Sequence, residues 1–144
     1  HCPIFLKISP DLEKEELDDI CKLSLKYRMS ALIISNTTIS RPEIQNNENG
    51  GLSGAPLFNL SNKTLASAYR LTKGKIPLIG VGGISSAEDA YHKICLGASL
   101  VQIYSTLIYK GFSIVSRINK DLVKLLKKDG FNNISEAVGS KNKS

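Results

Sequence analysis

Two consecutive glycines, Gly82-Gly83, directly follow the apolar run of residues 76–81, and their type and spacing suit the binding of a phosphate group. Without a Cβ, they let backbone amides approach phosphate oxygens, and a helix start just beyond adds partial positive charge. The same pair also serves as a plain, tight strand-to-helix turn. One unit later, Gly97-Ala98-Ser99 and Tyr104-Ser105 bracket a second apolar run. In a barrel of alternating strands and helices, the loops after two successive strands plus a helix N-terminus form the usual phosphate site. That pairing puts phosphate binding ahead of the plain turn.

Lys7 is a cation in the otherwise apolar run Ile4-Phe5-Leu6-Lys7-Ile8. Burying it unpaired would be costly, so it either snorkels to the rim or sits beside an electron-rich cofactor ring, where it would stabilise an anionic reduced form. Judged alone, the two readings are equal. Asn36-Thr37-Thr38 follows another apolar strand and offers an amide and two hydroxyls to a planar ligand such as a pyrimidine or a flavin. These residues are also ordinary turn formers. Gly50-Gly51-Leu52-Ser53-Gly54 carries the same ambiguity, and composition does not separate its alternatives.

The elements that must position these residues alternate in period. Residues 3–8 read as a strand ended by Ser9-Pro10-Asp11, and Leu17, Ile20, Cys21 and Leu25 then fall at helical spacing over residues 12 to about 28. Residues 31–35 are nearly continuous in apolar character, as in a parallel sheet covered on both faces. A long polar loop, residues 36 to about 60, precedes a helix containing Leu65, Ala68, Tyr69 and Leu71 that stops at Gly74. The next strand, residues 76–81, leads to a helix with an expected capping box at Ser85 and Glu88 and a buried face of Ala87, Ala90, Tyr91, Ile94 and Cys95. Residues 100–104 form a fourth strand. A last long helix presents Ile114, Val115, Ile118, Leu122, Leu125 and Leu126 up to Gly130, and residues 134–138 add one final turn.

Four strand-helix units in this rhythm predict an α/β fold with a parallel sheet, the C-terminal half of a (β/α)₈ TIM barrel, with residues 1–144 as that half of one domain. A flavodoxin-like open sheet is the alternative. Polar groups at every strand end, at Lys7, Ser35 to Thr37, Gly82-Gly83 and Tyr104-Ser105, favour the barrel, because they build one shared face.

The remaining features restrict the possible functions. Net charge is +6, but eight basic and three acidic residues from Lys110 onward account for most of it. Lys120, Lys124, Lys127 and Lys128 lie along one helix face without interleaved aromatic residues, which reads as a solvated face and not as a nucleic-acid surface. Cys2, Cys21 and Cys95 lack zinc or disulfide spacing and read as reduced thiols. No metal cluster or paired acid-base site is visible; Asp18, Asp19 and His92 read as helix-surface residues. No apolar run approaches the roughly 20 residues needed to cross a bilayer. The start, His1-Cys2-Pro3, reads as the middle of a longer protein.

Taken together, the motifs resemble class 2 dihydroorotate dehydrogenases. The resemblance runs through Lys7-Ile8-Ser9-Pro10-Asp11-Leu12, Ser35-Asn36-Thr37-Thr38 with Arg41-Pro42, Gly50 to Gly54, Gly80-Val81-Gly82-Gly83-Ile84, and residues 97–105, in that family's order. It implies that FMN is held by Lys7, Ser35, Gly54, Gly82, Gly83, Tyr104 and Ser105, and that Asn36 and Thr37 bind the pyrimidine of dihydroorotate. It further implies oxidation to orotate in de novo pyrimidine biosynthesis, with ubiquinone as oxidant. The membrane contact and the serine that removes the substrate proton would both lie upstream of these residues. The location implied is the mitochondrial inner membrane in a eukaryote and the cytoplasmic membrane in a bacterium. Ser86 and Leu96 depart from a common glycine and alanine, whereas Ser35 and Ser105 replace a frequent threonine and keep its hydroxyl. Two other readings are an FMN barrel with another substrate, such as a tRNA-dihydrouridine synthase, and a non-catalytic half-barrel module. An isolated half-barrel is expected to associate through its open edges and bare apolar face.

Overall fold

The computed structural model describes residues 2–41 and 49–142. His1, Pro42 and residues 43–48 of the polar loop, on which parts of the sequence reading fall, lie outside the described residues. The strands are β1 (Phe5–Ile8), β2 (Ala31–Ile34), β3 (Leu78–Val81) and β4 (Ala98–Gln102), and the helices are α1 (Lys14–Lys26), α2 (Phe58–Thr72), α3 (Ala87–Leu96), α4 (Ser105–Lys110), α5 (Ser113–Lys128) and α6 (Ile134–Ala137). The four strands pair in parallel in the order β1-β2-β3-β4. A flavodoxin-like sheet reverses its strand order at a switch point; here the order is sequential, as in a singly wound barrel.

Register and the two-residue period of a strand sort the side chains onto two faces. Leu6, Leu32 and Leu78 lie in one row and Ile8, Ile34, Gly80 and Val101 in the next. From these rows Ile8, Leu32, Ile34 and Leu78 pack with Leu17 and Cys21 of α1 and Leu65 and Ala68 of α2. A second core joins Ala90, Tyr91, Ile94 and Cys95 of α3 to Ile114, Ile118 and Leu122 of α5. The other sheet face carries Lys7, Ile33, Ile79 and Leu100 in register. Phe5 and Leu100 are more than half exposed there, at β1 and β4, the two edges of the sheet.

Several local expectations need correction. The cap of α3 is one residue later than expected: Ser86 Oγ accepts the Asp89 amide at 3.2 Å, while Asp89 reaches back to the Ser85 amide and hydroxyl, both at 2.9 Å. Asp89, not Glu88, is three residues beyond the capping serine. β4 starts at Ala98, where the sequence suggested a loop, because small Ala98 fits fully buried beside Leu78. Val115 is 44% exposed and lies off the buried stripe of α5, which runs through Ile114, Ile118 and Leu122. The short helix α4 was not apparent in the sequence.

Candidate functional site

All nine residues singled out in the sequence, Lys7, Ser35, Asn36, Thr37, Gly54, Gly82, Gly83, Tyr104 and Ser105, line one cleft at the C-terminal ends of the strands. Ser53, Leu57, Val81, Gln102 and Thr106 complete much of its wall. Lys7 reaches it because it stands on the sheet face away from the helices, in the row with Ile33 and Ile79.

The segment after β2 is held from three directions. Ser35 is buried, and its amide donates to the Val81 carbonyl at 3.1 Å while the Asn36 amide donates to the Ile8 carbonyl at 2.8 Å. The Ile34–Ser35 peptide bond is cis. Asp11, at the start of the β1–α1 connection, accepts from the Thr38 hydroxyl and, at 3.0 Å, from the Ile39 amide. Thr38 and Leu52 exchange backbone hydrogen bonds of 3.1 and 2.7 Å, so the end of the polar loop returns alongside its beginning. Gly51 lies where any Cβ would sit 2.0 Å from Thr37 Oγ1, which accounts for a glycine at that point. These restraints leave the Asn36 and Thr37 side chains exposed towards the cleft.

The opposite end of the cleft is the Gly82-Gly83 turn. Both residues have positive φ, 108° and 74°, which a side chain disfavours. Behind them stands the start of α2: a Cβ on Gly83 would come within 2.5–2.8 Å of Phe58, two of whose atoms there are backbone. From the β4 side, Thr106 Oγ1 donates to the Ile84 carbonyl, and Lys110 Nζ donates to that of Ser85 at 3.0 Å. Ser105 Oγ lies 3.2 Å from Ser53 Oγ, joining the glycine-rich loop to the end of β4. Asp89 already occupies the Ser85 amide, so that donor of the helix cap is not available to an anion.

Two residues that matter to this arrangement were missed in the sequence. Asp11 was named in the sequence only within the segment that ends the first strand and within one family motif, without a task of its own; the N-cap of α1 is Glu13, whose amide donates to Glu16 at 2.9 Å. Lys93 on α3 is completely buried. Its ammonium donates to Ser61 Oγ and Asn62 Oδ1, both at 2.7 Å, and lies 5.3 Å from the centre of the Phe58 ring. Burial pushes its pKa down to about 7, opposed by the negative charge of Asp89. Gly80 is the signal that could have found it: a mid-strand glycine often marks a close approach, and a Cβ there would meet Lys93 Cδ at 3.0 Å.

A sequential parallel sheet with polar groups and a positive-φ glycine pair at its strand ends defines a half-barrel of the (β/α)₈ class, with a cleft at the strand ends. The family model for dihydroorotate dehydrogenase matches residues 1–126, and the chain belongs to that family. It is 52% identical over 143 residues to the mitochondrial dihydroorotate dehydrogenase (quinone) of Arabidopsis thaliana, covering 96% of this chain and 31% of that protein. With the dihydroorotate dehydrogenase (quinone) of Parvibaculum lavamentivorans it shares 54% over 142 residues, 96% of this chain and 41% of the relative. The crystal structure of the Eimeria tenella enzyme in complex with ferulenol superimposes with a TM-score of 0.93 at 38% identity, over 99% of this chain and 39% of that one. The ligand-free Eimeria tenella enzyme gives 0.94, over 100% and 41%. The chain therefore spans well under half the length of these relatives.

Proposed function

We propose that this chain forms the phosphate-binding and part of the substrate-binding side of an FMN-dependent enzyme that oxidises dihydroorotate to orotate with a quinone as acceptor. The observation that carries the reading is the convergence of the nine residues on one cleft in a chain of this family. The residues fit FMN at both ends. Positive-φ glycines backed by a helix start suit a phosphate, and Lys7, on the same wall, suits an electron-rich ring. Bound there, FMN would accept a hydride equivalent from the substrate and pass electrons to the quinone.

The chain's own residues have distinct tasks in this scheme. Gly82, Gly83, Tyr104 and Ser105 would hold the phosphate end, and Ser35 and Gly54 would also contact the cofactor. Lys7 favours negative charge on the reduced ring. Asn36 and Thr37 offer hydrogen bonds that orient the pyrimidine. Removal of the substrate proton falls, by family resemblance, to a serine outside these residues. The location we propose is a respiratory membrane, mitochondrial or bacterial, matching the relatives' use of quinone. Among the described residues no helix is long and apolar enough to cross a membrane.

The test is orotate formation by the protein expressed from its complete coding sequence, loaded with FMN and supplied with dihydroorotate and a soluble ubiquinone. Quinone-dependent turnover is expected. Flavin-loaded protein that leaves dihydroorotate untouched sinks the proposal.

A further inference from the structure

Lys93 is absent from every role assigned so far, yet a fully buried cation on a helix calls for a physical reason. Its three donors have three acceptors: the Ser61 hydroxyl, the Asn62 amide oxygen and the face of the Phe58 ring. Among the described residues no carboxylate forms a salt bridge with it, so its charge is hydrogen-bonded without being neutralised by direct contact.

The Ser61 contact has a directional consequence. An ammonium only donates, so it takes a lone pair of Ser61 Oγ and leaves the hydroxyl hydrogen to point elsewhere. That hydrogen is shared between the Phe58 carbonyl at 3.0 Å and the Gly82 carbonyl at 3.3 Å. The Gly82-Gly83 peptide is trans. In a trans peptide the carbonyl and the following amide point in opposite directions. Drawing the Gly82 carbonyl back towards α2 therefore turns the Gly83 amide out towards the cleft.

We infer that Lys93 is a positioning residue for anion binding: through Ser61 it anchors the Gly82 carbonyl, aims the Gly83 amide at the ligand, and places a buried positive charge behind the turn. The inference rests on the phosphate-site reading proposed above. In a poorly solvated setting such a charge acts on a nearby anion more strongly than a surface lysine would. Burial lowers its pKa to about 7, so the charge that does this work is present below that pH and is lost above it.

The test compares FMN with riboflavin, which lacks the phosphate, by flavin fluorescence titration of the apoprotein made from its complete coding sequence. In Lys93→Met, FMN affinity is expected to fall about tenfold, the size of one lost charge-assisted interaction, while riboflavin affinity stays within about twofold. Ser61→Ala removes one oxygen and no charge, and should show the same phosphate-selective loss. It provides the readout if the lysine variant does not fold. A variant that is folded by circular dichroism and keeps the wild-type FMN-to-riboflavin ratio overturns the role of Lys93. Equal loss of both flavins in folded variants does the same, since it marks a general packing role. A wild-type protein that binds both flavins equally removes the phosphate site itself, a result read before any variant is made.

Discussion

Single residues define the ends of the cleft, and the least replaceable is Gly83. Alanine there would strain a backbone at φ 74° and drive a Cβ to within 2.7 Å of the Phe58 Cα. The backbone strain alone amounts to about 1–3 kcal/mol, and α2 must also shift. Purified Gly83→Ala protein is expected to carry about tenfold less flavin per polypeptide, measured by absorbance, than the wild type. This glycine was legible in the sequence because its role is local: two glycines after an apolar run announce a special backbone. Lys93 was not legible, because its burial depends on Gly80 one element away and on Ser61 and Asn62 two elements away. On α3 alone it reads as one more polar residue.

At the level of elements, the four strands and the helices other than α4 were readable in the sequence, and their boundaries less so. The α3 cap shows why: Ser85 and Ser86 are both acceptable capping residues, and the choice falls to Asp89, whose carboxylate reaches the Ser85 amide. The β2 loop was visible as polar and glycine-rich, but the contact that fixes it comes from the β1–α1 connection, through Asp11. Removing that carboxylate in Asp11→Ala frees the Thr38 hydroxyl and the Ile39 amide. Hydrogen bonds to a charged group contribute about 1.5–3 kcal/mol each. Steady-state kinetics should therefore show KM for dihydroorotate rising about tenfold or more, with bound flavin little changed, because the phosphate end is held by other elements.

For the whole molecule, the buried ionisable groups set how stability varies with pH. Lys93 titrates at about 7 in the folded chain against 10.5 ordinarily. Between those values the unfolded chain holds a proton that the folded one lacks, so stability rises with pH. Cys21, raised by burial and then by Asp18 from 9.0 to about 11, acts in the opposite sense above pH 9. Tyr91, raised from 10.0 mainly by burial and by its bond to Asp129, adds to that fall. Urea unfolding midpoints should climb from about pH 7 to 9, level off where Cys21 offsets Lys93, and fall above about pH 10. Lys93→Met should flatten the climb and leave the decline.

The sequential strand order bears on what the cleft can hold. Neighbouring strands are separated by about 4.8 Å, and the ends of β2 and β4 stand on either side of β3 in one hydrogen-bonded ladder. The residues proposed to bind the pyrimidine after β2 and the Tyr104-Ser105 end of the proposed anion site after β4 are thus set roughly 10 Å apart by backbone hydrogen bonds. Loops can drift in sequence or length without altering that spacing. On the proposed reading the sheet works as a ruler: it sets how far the substrate ring stands from the cofactor's anionic end before any side chain reads chemistry.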